Sequence, residues 1–212
     1  MTTLSLRRAL RPLGAALALA LLASAATSRL APAHAAPSAA TMAPFDQQFI
    51  DMMVPHHMSA VAMAQIALTR GQHPQIKALA GSIISDQNSE IGQMKTWRRQ
   101  WYGSATTPDM MHMPMLPGLR MGMGMGGPTF MNDINNLKKA NPFDKAFIAD
   151  MMPHHQMAID AATLELAHGS HQQLKDLALS IIKGQSREEG LMQAYLDLWY
   201  GGGMGPMGGM GH

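Results

Sequence analysis

Residues 45–64 read FDQQFIDMMVPHHMSAVAMA, and residues 143–162 read FDKAFIADMMPHHQMAIDAA. They open two copies of one unit. Residues 45–103 and 143–201 align at a constant offset of 98 without a gap, the first ending QWYG and the second LWYG. Phe45, Phe49, Met53, Pro55, His56, His57, Gly71, His73, Gln87, Glu90, Met94, Trp101 and Gly103 all recur 98 positions later. A repeated unit of this length is one supersecondary element that buries its apolar face against its copy.

The unit reads as a helical hairpin. Phe45, Phe49, Met53, Ala60, Met63 and Ala67 recur at three- and four-residue steps, the period of an amphipathic helix. Asn141-Pro142-Phe143-Asp144 offers an N-cap, a first-turn proline and an early acid; Ala43-Pro44-Phe45-Asp46 keeps the last two. Gly71 and Gly169 suit a left-handed residue closing the first helix. A second helix then runs from near Pro74 (Gln172) to Gly103 (Gly201), with the stripe Ile76, Leu79, Ile83, Gln87, Glu90, Met94, Trp97 and Trp101. Trp101-Tyr102 and Trp199-Tyr200 close the end of the core. The expected fold is all-α: a four-helix bundle of two repeated hairpins in pseudo-twofold relation, with the His pairs facing inward. No strand pattern competes.

Outside the repeats, residues 1–35 carry Arg7, Arg8 and Arg11, a fourteen-residue apolar run from Leu13 to Ala26, and Ala33-His34-Ala35. This is the pattern of a cleaved signal peptide, with cleavage after Ala35. The run is shorter than the roughly 20 residues a membrane span needs, so no anchor is expected to remain. Sec and twin-arginine export both stay open. Removing 1–35 takes four of the 16 basic residues and none of the 14 acidic ones, leaving 12 and 14, a formal charge of −2. Nucleic acid is therefore not an expected partner. A periplasmic or secreted destination is oxidising, and the chain has no cysteine. That also excludes zinc fingers, iron–sulfur centres and thiol catalysis.

The chemistry lies in histidine and methionine. Each first helix carries M-x-P-H-H: Met53, Pro55, His56 and His57, then Met151, Pro153, His154 and His155. An interior proline costs about 3 kcal/mol, and such a cost tends to sit where geometry matters. Four histidines in two paired positions, each pair with a nearby methionine, point to metal. With the hairpin turn at 72–73, His56 lies level with residue 89, beside Glu90; the second copy places His154 beside Glu188. These carboxylates either ligate the metal or orient the histidine. Met94 and Met192, a turn further on, are supporting ligands or core residues. His73 and His171 lie over 20 Å along the helix from the pairs and take a cap or turn role.

The linker 104–142 and tail 202–212 are rich in Met, Gly and Pro. Met110, Met111, His112, Met113, Met115, Met121, Met123 and Met125 place thioethers at close intervals on what reads as a flexible backbone. A short helix is expected within 132–140. Thioether selects Cu(I), and imidazole suits copper in either oxidation state, so Cu(I), Cu(II) or both are the expected ligand. Sticky low complexity or promiscuous protein binding is the competing explanation of these segments.

The M-x-P-H-H helix, the Q-x-x-E-x-x-x-M helix that follows and the aromatic end together resemble the family catalogued as domain of unknown function 305, over both repeats and little of the linker or tail. The family is similar to ferritin-like four-helix bundles, and its exported CopM-type members are associated with copper binding and resistance. The resemblance implicates Met53, His56, His57, Met151, His154 and His155, supported by Glu90, Glu188, Met94 and Met192. The second copy has Ala149 for Asp51 and Ala161 for Met63, so a ligand role for either residue is not symmetric. The expected protein is not an enzyme: it binds copper and buffers, sequesters or hands it over, with a copper-transfer protein as candidate partner. The alternatives are a di-iron or copper oxidase, for which only Glu90 and Glu188 are well placed among the carboxylates required, and a Met-rich interaction module.

Overall fold

The computed structural model describes residues 43–120 and 133–201. The expected signal segment 1–35, Met121, Met123, Met125 and the tail 202–212 lie outside the described residues. Four long helices account for both repeats: α1 (Phe45–Arg70), α2 (Pro74–Tyr102), α3 (Phe143–His168) and α4 (Gln172–Tyr200). There is no strand among the described residues, and no helix among them is long and apolar enough to cross a membrane. A short helical turn at 133–137 precedes α3.

Three of the expected helix ends are corrected. The residue flanking α3 is Pro142, without a side-chain cap, so Asn141 does not cap it. Gly71 and Gly169 are not left-handed, with φ of −52° and −64°. Glycine is required there by close approach: a Cβ at Gly71 would sit 2.7 Å from the Ala67 carbonyl oxygen, and one at Gly169 only 2.0 Å from a Glu165 carboxyl oxygen. The left-handed closures are instead Gly103 (φ 78°) and Gly201 (φ 70°), at the ends of α2 and α4.

The acids at the helix starts serve the opposite hairpin. Asp144 accepts the backbone N–H groups of Gln72 and His73, both at 2.9 Å, and the His73 Nδ1–H at 2.6 Å. Asp46 does the same for Ser170, His171 and the His171 ring. Each imidazole then stacks on a tryptophan of the other copy: His73 on Trp199 and His171 on Trp101, both with centroids 3.7 Å apart. Each hairpin turn is thus satisfied by the other hairpin. Burial pushes the Asp46 carboxyl up, but the His171 ring and the Ser170 and His171 amides outweigh it and hold the pKa below the usual range.

Packing repeats the reciprocity. One buried cluster joins Phe49, Ile50 and Met53 of α1 to Ala158, Ala161 and Ala162 of α3 and to Leu174, Leu177 and Ile181 of α4. The other joins the repeat-related Phe147, Ile148 and Met151 to Ala60, Met63 and Ala64, and to Ile76, Leu79 and Ile83. Each large side chain contributes about 2 kcal/mol by leaving water. Because the two halves of α1 belong to different clusters, neither hairpin has a core of its own. The first part of the linker is also packed, against the expectation of a flexible thread. Leu116 is buried in the first cluster, with Met113 and Leu119 against it, and Met110 rests on the second. Arg70 donates to the carbonyls of Leu137 and Ala140 at 2.8 and 2.9 Å, tying down the linker's end.

Candidate metal centre

Pro55 and Pro153 sit inside α1 and α3 and do not interrupt either helix. A proline has no N–H to offer the carbonyl four residues back, so each first helix lacks one ladder bond just before its His pair. All four histidines are buried: His56, His57 and His155 are fully so, and His154 is 2% exposed. They form a polar layer in a core whose other buried polar residues include Ser59, Gln87, Glu165, Gln185 and Glu188.

The layer is centred on His56 and His154, whose rings lie 3.7 Å apart, centroid to centroid, at 33°. Burial, followed by the neighbouring imidazoles, pushes both pKa values well below the usual histidine range, so both rings are neutral at pH 7. Ser59 donates to the His56 carbonyl at 2.6 Å and meets His154 Nε2 at 2.7 Å. Since the hydroxyl proton is committed to the carbonyl, the network assigns Nε2–H to His154. The repeat-equivalent of Ser59 is Met157, so the two copies differ at this contact.

His57 and His155 flank this pair, their ring centroids 6.0 and 6.4 Å from His56 and His154. Each is hydrogen-bonded through Nε2 to a carboxylate of its own hairpin, His57 to Glu90 and His155 to Glu188, both at 2.7 Å. The expected register placed these glutamates beside His56 and His154; the partners are the second histidines of each pair. In the tautomer that puts the Nε2 proton on the carboxylate side, Nδ1 carries the lone pair, and neither Nδ1 has a hydrogen-bond partner among the described residues. A neutral imidazole oriented by a carboxylate, its other nitrogen bare, is the usual form of a metal-binding histidine.

Met53 and Met94 lie fully buried in one cluster, Met151 and Met192 in the other. The four thioethers are therefore divided symmetrically between the two clusters as part of the core. Asp51 is taken by Arg98, which donates Nε and Nη2 to its two oxygens at 2.6 and 3.1 Å. The second copy has the exposed Ala149 and the buried Leu196 at these positions, so the departure at Asp51 removes the ion pair. In the linker, Met110–His112 form a 3₁₀ turn capped by Asp109, which also pairs with His112 at 2.8 Å. Met111 and Met115 are half exposed, unlike Met110 and Met113, which pack on the hairpins. No three His, Asp or Glu side chains among the described residues converge as a ready-made cage. A bound ion would combine imidazole with thioether, a donor set that fits a soft metal.

Four residues escaped the sequence reading. Ser59 carried no signal, being a lone serine where the other copy has methionine. Asp46 and Asp144 recur at the 98-residue offset, but a helix-start acid reads as a partner of its own helix. Glu165 breaks an apolar stripe where the first copy has Ala67, and that departure was legible. Its carboxyl is fully buried. Burial and then the charge of Asp46 push its pKa up to about 8.

A family model described as "Domain of unknown function (DUF305)" matches residues 46–196. Among solved structures, CopM in the Cu(I)-bound form is 38% identical, covering 74% of this chain and 98% of its own, with a TM-score of 0.59. CopM in the Cu(II)-bound form is also 38% identical, covering 73% and 97%, with a TM-score of 0.61. The uncharacterised protein L153 of Acanthamoeba polyphaga mimivirus is 39% identical over 51 residues, 24% of this chain. The chain spans about a third of the length of that curated relative, 34%.

Proposed function

The chain belongs to the DUF305 family, and from that premise we propose that it is an exported copper-binding protein, not an enzyme, that buffers copper or hands it to a partner. The observation that carries this reading is the pair of buried carboxylate-oriented imidazoles, His57 on Glu90 and His155 on Glu188, each with an unpartnered Nδ1. Solved CopM structures with Cu(I) and Cu(II) support the choice of metal. His57 and His155 supply imidazole nitrogen, His56 and His154 complete the layer, and the thioethers of Met53 and Met151, each three residues before a histidine pair, favour the reduced ion. Glu90 and Glu188 hold the rings and raise their basicity. The helices form a ferritin-like four-helix bundle, and residues 1–35 direct the chain to the periplasm or beyond, where copper is met.

The test is copper titration of the protein after removal of residues 1–35. Replacing His57 and His155 by Ala should abolish the tighter copper binding while circular dichroism stays helical. Glu90→Gln with Glu188→Gln should weaken affinity about 10- to 100-fold. Unchanged affinity in both variants would sink the assignment. Metal analysis of protein recovered from the periplasm separates the rivals: stoichiometric copper supports this reading, iron an oxidase, and no metal an interaction module.

A further inference from the structure

Helices α2 and α4 make few contacts with each other, and between them lies a cleft of about 550 Å³. Glu90 and Glu188 belong to its wall, with His57 and His155 hydrogen-bonded to them. Gln87 and Gln185, also lining it, are only 2% and 4% exposed. Neither the amide oxygen nor the amide nitrogen of either has a hydrogen-bond partner among the described residues. Buried amides are normally satisfied, so four polar atoms without a partner in the chain leave one cleft ready to receive a polar ligand from outside.

The cleft also breaks the symmetry of the repeat. Its pseudo-symmetric counterpart is a hollow of about 190 Å³. There Ala78, Arg187 and Leu191 occupy the positions that are Asp176, Ser89 and Gln93 in the larger cleft. Asp86 lines the larger cleft, as does its repeat-equivalent Gly184, and neither lines the hollow. One side thus offers two extra carboxylates and the other a guanidinium. Low-dielectric walls lined by one sign of charge concentrate the opposite ion.

We propose that the larger cleft is a one-sided inlet for a hydrated divalent cation. The ion enters past Asp86 and Asp176, exchanges water for the side-chain oxygens of Gln87 and Gln185, and moves on to the imidazoles behind Glu90 and Glu188. Oxygen donors favour the harder oxidation state, so the inlet serves Cu(II) rather than Cu(I). The proposal rests on His57 and His155 as the destination.

Stopped-flow quenching of tryptophan fluorescence by aqueous Cu(II), with equilibrium affinity measured alongside, tests it. Asp86→Asn with Asp176→Asn should slow association about tenfold at low ionic strength, with the difference closing in about 0.5 M salt and affinity within about twofold of the parent. Gln87→Leu with Gln185→Leu should stay folded, because an orphaned amide is lost, and should load slowly to the same end point. Arg187→Gln, on the other side, should leave the rate unchanged. Parental rates in the first two variants would overturn the inlet and leave the histidine site standing. Should His57→Ala with His155→Ala bind Cu(II) as the parent does, the site and the inlet fall together.

Discussion

His56 and His154, 98 residues apart in sequence, meet where α1 meets α3, their ring centroids 3.7 Å apart and tilted by 33°. Each is the histidine that follows an interior proline, and each is fully or almost fully buried. The contact joins the two copies at their chemically most sensitive point, because two imidazoles at this distance cannot both be charged without cost.

Stability should therefore fall with acid. Both folded pKa values lie well below the ordinary 6.5. The unfolded chain takes up protons below that pH while the folded one does not. The contribution of the neutral pair is complete above about pH 6.5 and is lost progressively as the pH drops towards the folded values. Urea unfolding of the metal-free protein at pH 7.5, 6 and 5 should show this decline. His56→Ala with His154→Ala should flatten it, and an equal slope in parent and variant would refute the assignment.

Asp46→Ala and Asp144→Ala should each destabilise by about 2–4 kcal/mol. Each removes the acceptor of two backbone amides and one imidazole in a buried site. The two effects should add, since the acids share no partner. Thermal unfolding of the singles and the double checks both statements.

Glu165 predicts the opposite pH dependence from the histidines. Its pKa is raised from 4.5 to about 8. Its stability contribution is full below about pH 4.5 and is lost as pH rises through about 8, because the unfolded chain releases the proton first. Glu165→Gln should gain on the parent steadily across that interval, read as the difference in unfolding midpoint. A difference independent of pH would show that the carboxyl is ionised in the fold. Gly169→Ala, which drives a Cβ into the same carboxyl and the Glu165 carbonyl, should destabilise at every pH.

The linker methionines should divide into two functional classes. Met111→Leu with Met115→Leu alters half-exposed side chains, so the melting temperature should hold while Cu(I) capacity falls. Thioether does not titrate, so this loss should be visible in chelator competition at pH 5, where imidazole of ordinary pKa is protonated. Met110→Leu with Met113→Leu alters residues packed on the hairpins and should change stability more than copper capacity. Equal Cu(I) stoichiometry in parent and first variant would leave the exposed linker methionines without a role in binding.

The gapless repeat, the three- and four-residue apolar steps and the glycine-histidine turn were enough to read four helices and their boundaries, because those depend on local backbone preference and on burying one face. The inward His pairs were legible for the same reason, lying on the stripe with Phe49 and Met53. Which histidine meets Glu90 was not legible. Matching levels along a hairpin gives height on the helix axis, whereas a step of one residue turns the side chain by about 100°. His56 and His57 share a height and face different neighbours.

The sequence by itself determined the helices, the repeat and the burial of the histidine layer, all of which follow from periodicity and from the cost of exposing apolar surface. Only the tertiary structure decided that Asp46 and Asp144 cap each other's hairpins, that His56 meets His154, that Glu90 and Glu188 hold the second histidines, and that one side of the α2/α4 cleft is acidic. Each of those is a contact between helices, and its partner is chosen by rotation about the helix axis and by the packing of one hairpin on the other, which no local pattern encodes.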